Sequence, residues 1–545
     1  MKKIIMSLAG IIPMALMAQT VKIDRSKAPQ PSPAPVISIA QPTIFTLANG
    51  LKVYVVQNNK LPRVTASLSL NIEPFIEGEK AGTSSLAGSL LRRGTVKKSK
   101  AVLDEEIDFL GGNVGSSATS VSANALVNNF DKVFQLMAEV ALQPAFDEKE
   151  LEKVRKQTLS GLQSAKDDPD AISDNVLKAI VYGKNHPYGD IETEKTVSSI
   201  TIADVKKFYN TYWKPNVGYL VFVGDITPAK AKALAETHFG KWAKGTLPAT
   251  KIPAVNKPAK NIIAIVDRPA SVQSLLQFVA PIQLAPGAPD DIPTDVMGNI
   301  LGGGFSGRLF ANLREKYAFT YGAYSDVNTD RYVGTFNANA SVRNEKTDSA
   351  IGQFFVEFER LRNEPIPADE LSRMKNYLSG GFARSLEQPS TIANFALRTA
   401  INNLPADYYQ KYLTKLAAVN SQTVQAMAQK YIPTKNMYII IVGNAKEISK
   451  GLEKYGEVKY FNSDGQEVAA PTTKTLDPSI TGKAIIEKAI QAYGGEAAYN
   501  ALKDVTMEAN VAVMGQSIPL VNKYVFPGTY SNELKWVLWC YKRNC

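Results

Sequence analysis

Few side chains in this chain could bind a catalytic metal. Its 545 residues include only two histidines, His186 and His238, which stand 52 positions apart. Two histidines that bind one zinc ion usually stand four apart, so that both lie on the same face of a helix. Because His186 precedes a proline and His238 ends a predicted helix, we expect both to be structural or solvated rather than metal ligands.

A run of three glycines could bring a ligand close to the backbone. Gly302, Gly303 and Gly304 precede Phe305, but no Gly-Lys-Ser/Thr follows them and no strand-loop-helix unit precedes them, which excludes a phosphate-binding loop. We predict instead a flexible loop at 302–305 that binds a substrate backbone, because glycine has no Cβ to keep it away.

These residues belong to a chain with two related halves. The stretch YLVFVGD that begins at Tyr219 parallels YIIIVGN at Tyr438, an offset of 219 residues. The same offset relates the Leu-Ser-Gly triplets at 159–161 and 378–380. An offset held over about 65 residues indicates a duplicated domain, with a period far too long for a solenoid.

Proline-rich and lysine-rich stretches mark the boundaries of these halves. The chain begins with Lys2 and Lys3 and continues with an apolar segment, which is typical of a secretory signal. We predict a signal peptide (1–18), a Pro-rich tether (19–43), a first domain (44–243), a linker (244–260), a second domain (261–462), a second linker (463–480) and a partial C-terminal region with an atypical tail (481–545).

Hydrophobic patterning predicts an α+β fold for each half. Residues 43–57 indicate a hairpin around Asn49-Gly50, and further strands and long helices follow without strict alternation. We expect two homologous domains, each a largely antiparallel sheet with helices packed on one face. In the second half the pattern predicts one helix over 293–316 and a strand over 332–342.

Composition restricts the partners and the compartment. Both cysteines lie in the last six residues, so packing rather than disulfides must stabilise this exported chain. The net charge of +11 comes without a dense Lys/Arg block with interleaved aromatics, so we expect no nucleic-acid partner. Beyond the signal, nothing predicts a membrane span. We therefore expect a soluble periplasmic protein.

Three stretches carry a resemblance to a known family. They are FTLANGLKV from Phe45, HPYG from His186, and LGGGFSGRLFANLREKYAFTY from Leu301 to Tyr321. Together they resemble the insulinase/pitrilysin zinc peptidases, which include the mitochondrial processing peptidases, and the resemblance spans about residues 40–465. It implies paired α+β domains that close around an unfolded peptide.

The resemblance also shows where zinc ligands would stand. Catalytic members carry His-x-x-Glu-His on an early helix and a further glutamate some seventy residues on. Aligned on its flanking glycines, this chain has Ser85, Gly88 and Ser89 at the three active-site positions, and Gly161 at the distal one. None of these residues ligates zinc, and glycine has no side chain to act as a base. We therefore expect no metal in this chain.

A second part of the family's machinery is retained. Active sites in the family also use an arginine and a tyrosine seven positions apart, and by resemblance Arg314 and Tyr321 match that pair. A guanidinium and a phenol can both donate hydrogen bonds to the oxyanion that forms when water attacks a peptide carbonyl. Arg308 fits the same segment, and we predict a structural role for it.

The resemblance leaves two functions open. In the first, this chain is the non-zinc subunit of a heterodimeric exported metallopeptidase, with zinc in a partner subunit and an extended peptide as substrate. In the second, it is a catalytically inert peptide-binding or assembly scaffold. The C-terminal region looks like the start of a lipoprotein-carrier-like domain, and its change in composition favours a truncated or frame-shifted end over a docking tail.

Overall fold

The computed structural model describes residues 39, 41–471, 481–513, 516–526 and 528–534. The predicted signal peptide, most of the tether, residues 472–480 of the second linker and the tail from 535 onward lie outside the described residues. The chain divides into two compact units, one that ends at Ala470 and one that begins at Pro471. No described helix is long and apolar enough to cross a membrane.

The first domain contains one sheet and eight α-helices within the described residues. Its strands are β1 (Thr43–Thr46), β2 (Lys52–Gln57), β3 (Arg63–Leu70), β4 (Asn113–Ser116), β5 (Ser120–Leu126) and β6 (Gly218–Gly224). Its helices are α1 (Thr83–Leu91), α2 (Lys100–Phe109), α3 (Val127–Leu142), α4 (Glu148–Ala165), α5 (Pro169–Leu177), α6 (Glu194–Ser199), α7 (Ile202–Tyr212) and α8 (Pro228–Phe239).

The second domain follows the same order of elements. Its strands are β7 (Ile262–Asp267), β8 (Gln273–Ile282), β9 (Thr320–Asn328), β10 (Gly334–Arg343), β11 (Tyr438–Gly443), β12 (Glu457–Phe461) and β13 (Glu467–Val468). Its helices are α9 (Asp291–Gly302), α10 (Arg308–Phe310), α11 (Thr347–Asn363), α12 (Ala368–Ser385), α13 (Pro389–Ile401), α14 (Tyr412–Ala418), α15 (Ser421–Tyr431) and α16 (Ala445–Ile448).

The two sheets confirm the predicted α+β class and the duplication. Five strands of the first sheet run in the order β2-β6-β3-β5-β4, and their counterparts in the second run β7-β11-β8-β10-β9. Each sheet is largely antiparallel, with parallel pairing only at β2–β6 in the first and at β7–β11 and β7–β12 in the second. The repeated YLVFVG and YIIIVG stretches form the equivalent central strands β6 and β11.

The predicted hairpin around Asn49-Gly50 is present. β1 and β2 pair antiparallel, and Gly50 adopts a φ of 89°, a conformation that a residue with a Cβ rarely takes. The Asn49 amide donates to the carbonyl oxygens of Phe239 (2.7 Å) and Trp242 (3.0 Å). The hairpin is thereby tied to the end of α8, which closes the first domain.

The prediction of one continuous helix over 293–316 is wrong. α9 ends at Gly302, and a loop separates it from α10 and the π-helical turn Ala311–Lys316. Gly304 has a φ of 152°, which ordinary residues rarely adopt and which ends the helical path. The sequence also lacked a prediction for β9, the strand that follows this turn.

Each sheet is covered on its second face by a helix from the other domain. The helices of each domain pack mainly on one face of its own sheet, as predicted. On the opposite face, Ile172 and Val176 of α5 pack against Ile440 and Val442 of β11. Reciprocally, Ala393 of α13 packs against the first sheet, on Tyr54, Val56, Tyr219 and Val221. This exchange joins the two domains into one compact unit.

The C-terminal unit, described by itself, is small and open. It contains α17 (Gly482–Ala492), α18 (Glu496–Ala501), β14 (Asp504–Val513), β15 (Gln516–Val525) and β16 (Thr529–Leu534). The three strands form an antiparallel sheet in chain order. Apolar side chains such as Ile486 of α17 remain more than half exposed, so this unit buries little core of its own among the described residues.

Candidate functional site

Helix α1 carries the three positions at which the family's zinc motif would stand. Ser85 and Ser89 are one turn apart and exposed, and Gly88 is buried between them. A serine hydroxyl is a poor zinc ligand beside histidine or cysteine, so the donor set does not fit the ion. In the part of the chain that the structure describes, no group of three His, Cys, Asp or Glu residues could hold a metal.

The packing around Gly88 closes the place where a catalytic glutamate would stand. The turn between β4 and β5 lies against α1, and Ser116 Oγ donates to the Gly88 carbonyl oxygen at 2.7 Å. A Cβ at Gly88 would lie 2.2 Å from the backbone carbon of Ser117 and 2.2 Å from the backbone nitrogen of Ala118. Gly161, at the distal position on α4, is exposed and has open space around it. The residues present therefore do not fit a zinc site.

The two histidines occupy structural positions, as predicted. His186 is 1% exposed, and its Nδ1 accepts a hydrogen bond from the Tyr188 backbone N–H at 3.0 Å. Its ring stacks on Tyr182 at 5.3 Å, and burial lowers its pKa. The His238 ring packs edge-on against Phe134, and burial lowers its pKa as well.

The HPYG turn joins the two domains. The Tyr188 hydroxyl donates to both carboxylate oxygens of Asp330, at 2.9 and 3.0 Å, across the boundary between the halves. Asp330 also accepts from the backbone N–H groups of Tyr332 and Val333. The turn therefore has a role in domain assembly.

Two of the three glycines allow close packing around α9, and only the third lies in an open part of the loop. A Cβ at Gly302 would lie 2.4 Å from the Ser325 backbone nitrogen of β9, and one at Gly303 would lie 2.6 Å from the Asn299 Cα of its own helix. Close approach at these two positions is therefore to the chain itself. Gly304 has open space around it and Phe305 is 74% exposed, so these two retain room for a bound peptide.

A buried aromatic residue links the loop to the candidate arginine. The Phe310 ring lies 5.0 Å from the ring of Phe305, and the Arg314 guanidinium lies 4.8 Å from the Phe310 centroid. Arg314 stands on the π-helical turn with its side chain 41% exposed, 3.5 Å from the adjacent Glu315. The structure thus brings Phe305 and Arg314 to one surface through Phe310. Phe310 lies within the stretch that carries the family resemblance, but no sequence pattern singles it out.

A β-bulge turns Tyr321 out of the sheet. β9 pairs with β10 at Thr320–Val342 and at Ala323–Ala340, so Tyr321 and Gly322 together face Ser341 alone. In a regular strand, side chains two residues apart face the same side of the sheet, so Tyr321 would point to the buried side together with Ala323. The extra residue reverses this, and the Tyr321 side chain is 86% exposed. Bulges commonly re-aim a side chain next to an active site.

The turn between the two candidate residues is strained. Ala318 has a φ of 51°, which is uncommon for a residue with a Cβ. Its N–H donates to the Arg314 carbonyl oxygen at 3.0 Å, and its carbonyl oxygen accepts from the Arg343 side chain at 3.2 Å. Arg314 and Tyr321 therefore stand at the two ends of a fixed turn, both exposed.

Arg308 has the structural role that was predicted, and its partner is Glu370 of α12. Its Nε and Nη2 donate to the two carboxylate oxygens of Glu370 at 2.9 and 2.7 Å. The side chain is 9% exposed. This two-point pair joins α10 to α12 and supports the segment that carries Arg314.

Comparison with known proteins identifies similar chains across most of this one. Residues 52–192 match the family model for insulinase (peptidase family M16), and residues 199–378 match the model named peptidase M16 inactive domain. Together the two matches cover more than half of the chain.

Relatives and solved structures agree with these matches. An uncharacterized zinc protease of Rickettsia felis is 25% identical over 63% of this chain and 84% of its own length. A probable mitochondrial-processing peptidase subunit beta of Arabidopsis thaliana is 22% identical over 78% of this chain and 83% of its own. A crystal structure of a peptidase M16 inactive domain from Pseudomonas fluorescens superimposes with a TM-score of 0.68 at 25% identity, covering 74% of this chain and 98% of that one.

Proposed function

Because this chain belongs to the insulinase (M16) family of peptidases, we propose that it is the non-zinc subunit of an exported, heterodimeric metallopeptidase. A partner subunit of the same family would carry the zinc, and this chain would complete the chamber around an extended peptide. The apolar segment at 4–17, preceded by two lysines, supports export.

One contrast carries the proposal. The zinc positions on α1 hold serines and a glycine, and the β4–β5 turn fills the space beside Gly88. In the second domain, a bulge exposes Tyr321 and a fixed turn separates it from Arg314. A chain retained only for its fold has no need to expose a tyrosine in this way. The contrast supports a chain that assists chemistry performed elsewhere.

The role proposed for Arg314 and Tyr321 is to bind the carbonyl oxygen of the cleaved peptide bond. Zinc bound in the partner would polarise that carbonyl and activate water. The Tyr321 hydroxyl and the Arg314 guanidinium can both donate hydrogen bonds to this oxygen. Those hydrogen bonds become stronger as negative charge develops on the oxygen. Phe305, exposed beside Phe310, would contact the neighbouring peptide side chains.

The test is peptide cleavage by this chain mixed with a family member that carries the intact His-x-x-Glu-His motif from the same source. We expect neither chain alone to cleave efficiently and the mixture to do so. Arg314→Ala and Tyr321→Phe should each lower kcat of the mixture by about 10²–10³, the usual effect of removing one oxyanion donor. Arg373→Ala and Tyr493→Phe, both at exposed positions outside the segment, are the matched controls.

The scaffold function is the second candidate, and one observation favours it. Arg314 already lies against Phe310 and near Glu315, so its guanidinium has partners without any substrate. If the mixture is active and both variants retain full activity, the catalytic role is wrong and the assembly role stands.

A further inference from the structure

A cavity of about 770 Å³ opens in the second domain, apart from the segment just described. None of the residues that line it lies between 302 and 321. Its walls come from α9, α12 and α13 and from the segments 286–287, 329–331 and 402–412. Its volume lies within the range of about 300–1,000 Å³ that is typical of small-ligand sites.

One wall is a stack of four aromatic rings. Tyr409 lies 3.7 Å from Phe395 with the rings 5° from parallel. Phe395 lies 5.7 Å from Phe382, and Phe382 lies 4.5 Å from Tyr412. All four residues line the cavity. Such a wall offers flat apolar surface against which a peptide plane or an aromatic side chain can pack.

A carboxylate without a cation faces the same cavity. Asp291 is satisfied, because it accepts from the Tyr408 hydroxyl at 2.8 Å and from the Gly287 N–H at 2.7 Å. Asp295 lies one turn further along α9, and among the described residues its carboxylate accepts only from the Asn299 amide, at 2.9 Å on the same helix. Desolvation by the walls of the cavity, with repulsion from Asp291, raises the pKa of Asp295 to about 6, although the residue keeps an exposed surface. A bound cation would relieve this cost.

Two guanidinium groups line the cavity without an anion. Arg384 on α12 and Arg398 on α13 are exposed, and within the described residues neither forms an ion pair. Arg398 is hydrogen-bonded to the Tyr409 side chain. The third lining arginine, Arg331, is already engaged by Asn71 and Glu73 of the first domain. Asp291 and Asp330 also line the cavity, and each accepts from several neutral donors. Asp295 has one such donor, and within the described residues it forms no ion pair with either guanidinium.

We propose that this cavity binds a short peptide with free ends. Asp295 would accept the N-terminal ammonium, Arg384 and Arg398 would bind the C-terminal carboxylate, and the body of the peptide would lie on the aromatic wall. A ligand with only one charged end would leave either Asp295 or the two arginines unpaired. The proposal does not depend on Arg314 or Tyr321.

The test is calorimetric titration of the full chain with a free tripeptide that has a central phenylalanine. The same peptide with an acetylated N-terminus, and with an amidated C-terminus, provides the comparison. We expect the free peptide to bind and each blocked form to bind at least about tenfold more weakly, since each loses a charge-assisted interaction. Asp295→Asn should weaken the free peptide about tenfold and leave the acetylated form unchanged. The double variant Arg384→Gln, Arg398→Gln should do the same for the carboxylate.

Matched controls separate recognition from stability. Asp108→Asn and Arg373→Gln change exposed residues that do not line the cavity, and should leave every affinity unchanged. The proposal is overturned if the free peptide does not bind, if the blocked forms bind equally well, or if Asp295→Asn weakens free and acetylated peptides alike. Each of these results leaves the cleavage test of the mixed subunits unaffected.

Discussion

The packing around Gly88 shows that more than the zinc ligands is missing from α1. A serine or glycine in place of a ligand, as at Ser85, Ser89 and Gly161, could arise by simple substitution. At Gly88 the surrounding backbone has also closed in, with atoms of Ser117 and Ala118 where a side chain would begin. The site is therefore occupied by the protein itself, and replacing the missing ligands would not recreate it.

The first prediction concerns two glycines in helices. We expect Gly88→Ala to destabilise the protein by about 1–3 kcal/mol, because the added methyl group must displace the β4–β5 turn. Gly161→Ala is the control, since its Cβ meets nothing within 4 Å. It should stabilise by about 0.5–1 kcal/mol through helix propensity. Denaturant unfolding measures both, and equal effects would contradict the proposed packing.

The second prediction concerns His186 and acid. Burial lowers the pKa of its imidazole in the folded protein, although Asp330 opposes this. The unfolded chain therefore binds a proton at a higher pH than the folded chain does. The free energy of unfolding falls as the pH drops below the ordinary histidine pKa of about 6.5. His238 contributes in the same direction.

The variant His186→Asn separates the two histidines. Asparagine can still accept from the Tyr188 N–H, so the turn keeps its cap. We expect the loss of unfolding free energy between pH 7 and pH 5 to be smaller in this variant than in the wild type. An unchanged slope would show that His186 does not resist protonation.

The exchange of α5 and α13 explains why the two domains form one unit. Each of these helices covers the sheet of the other domain, so neither sheet has both faces buried by its own half. The duplication gives the exchange its symmetry, since the two helices follow the equivalent helices α4 and α12.

The third prediction tests this interface. Ile172 of α5 is 1% exposed against the second sheet, and Ile172→Ala should cost about 2–5 kcal/mol of unfolding free energy. Val272→Ala, at a position 82% exposed, should change it by less than about 0.5 kcal/mol. Thermal and denaturant unfolding should remain a single transition for residues up to 470, and a separate early transition of one domain would contradict the exchange.

The sequence predicted the elements well where a local pattern exists. The Asn49-Gly50 hairpin and the central strands β6 and β11 follow from turn chemistry and apolar runs. It missed β9, because that strand is the sheet edge and carries exposed polar residues such as Asp326. It could not predict the α5–α13 exchange or the contact at Gly88, since both depend on residues distant in sequence.

At the scale of the whole molecule, the proposed function makes this chain one half of a catalytic assembly. The resemblance supplied the candidate Arg314 and Tyr321, and the bulge that exposes Tyr321 appears only in the three-dimensional pairing of β9 with β10. The first domain contributes no residues that fit zinc. The activity proposed for this chain therefore depends on a partner, and the composition of the complex is the central claim.

Zinc analysis of the complex, purified through this chain from its native source, tests that claim most directly. We predict one zinc ion per pair of subunits, all of it lost when the partner is removed, and none bound in stoichiometric amount by this chain alone. Stoichiometric zinc in the isolated chain, or a stable complex with a family partner that contains no zinc, would contradict the account.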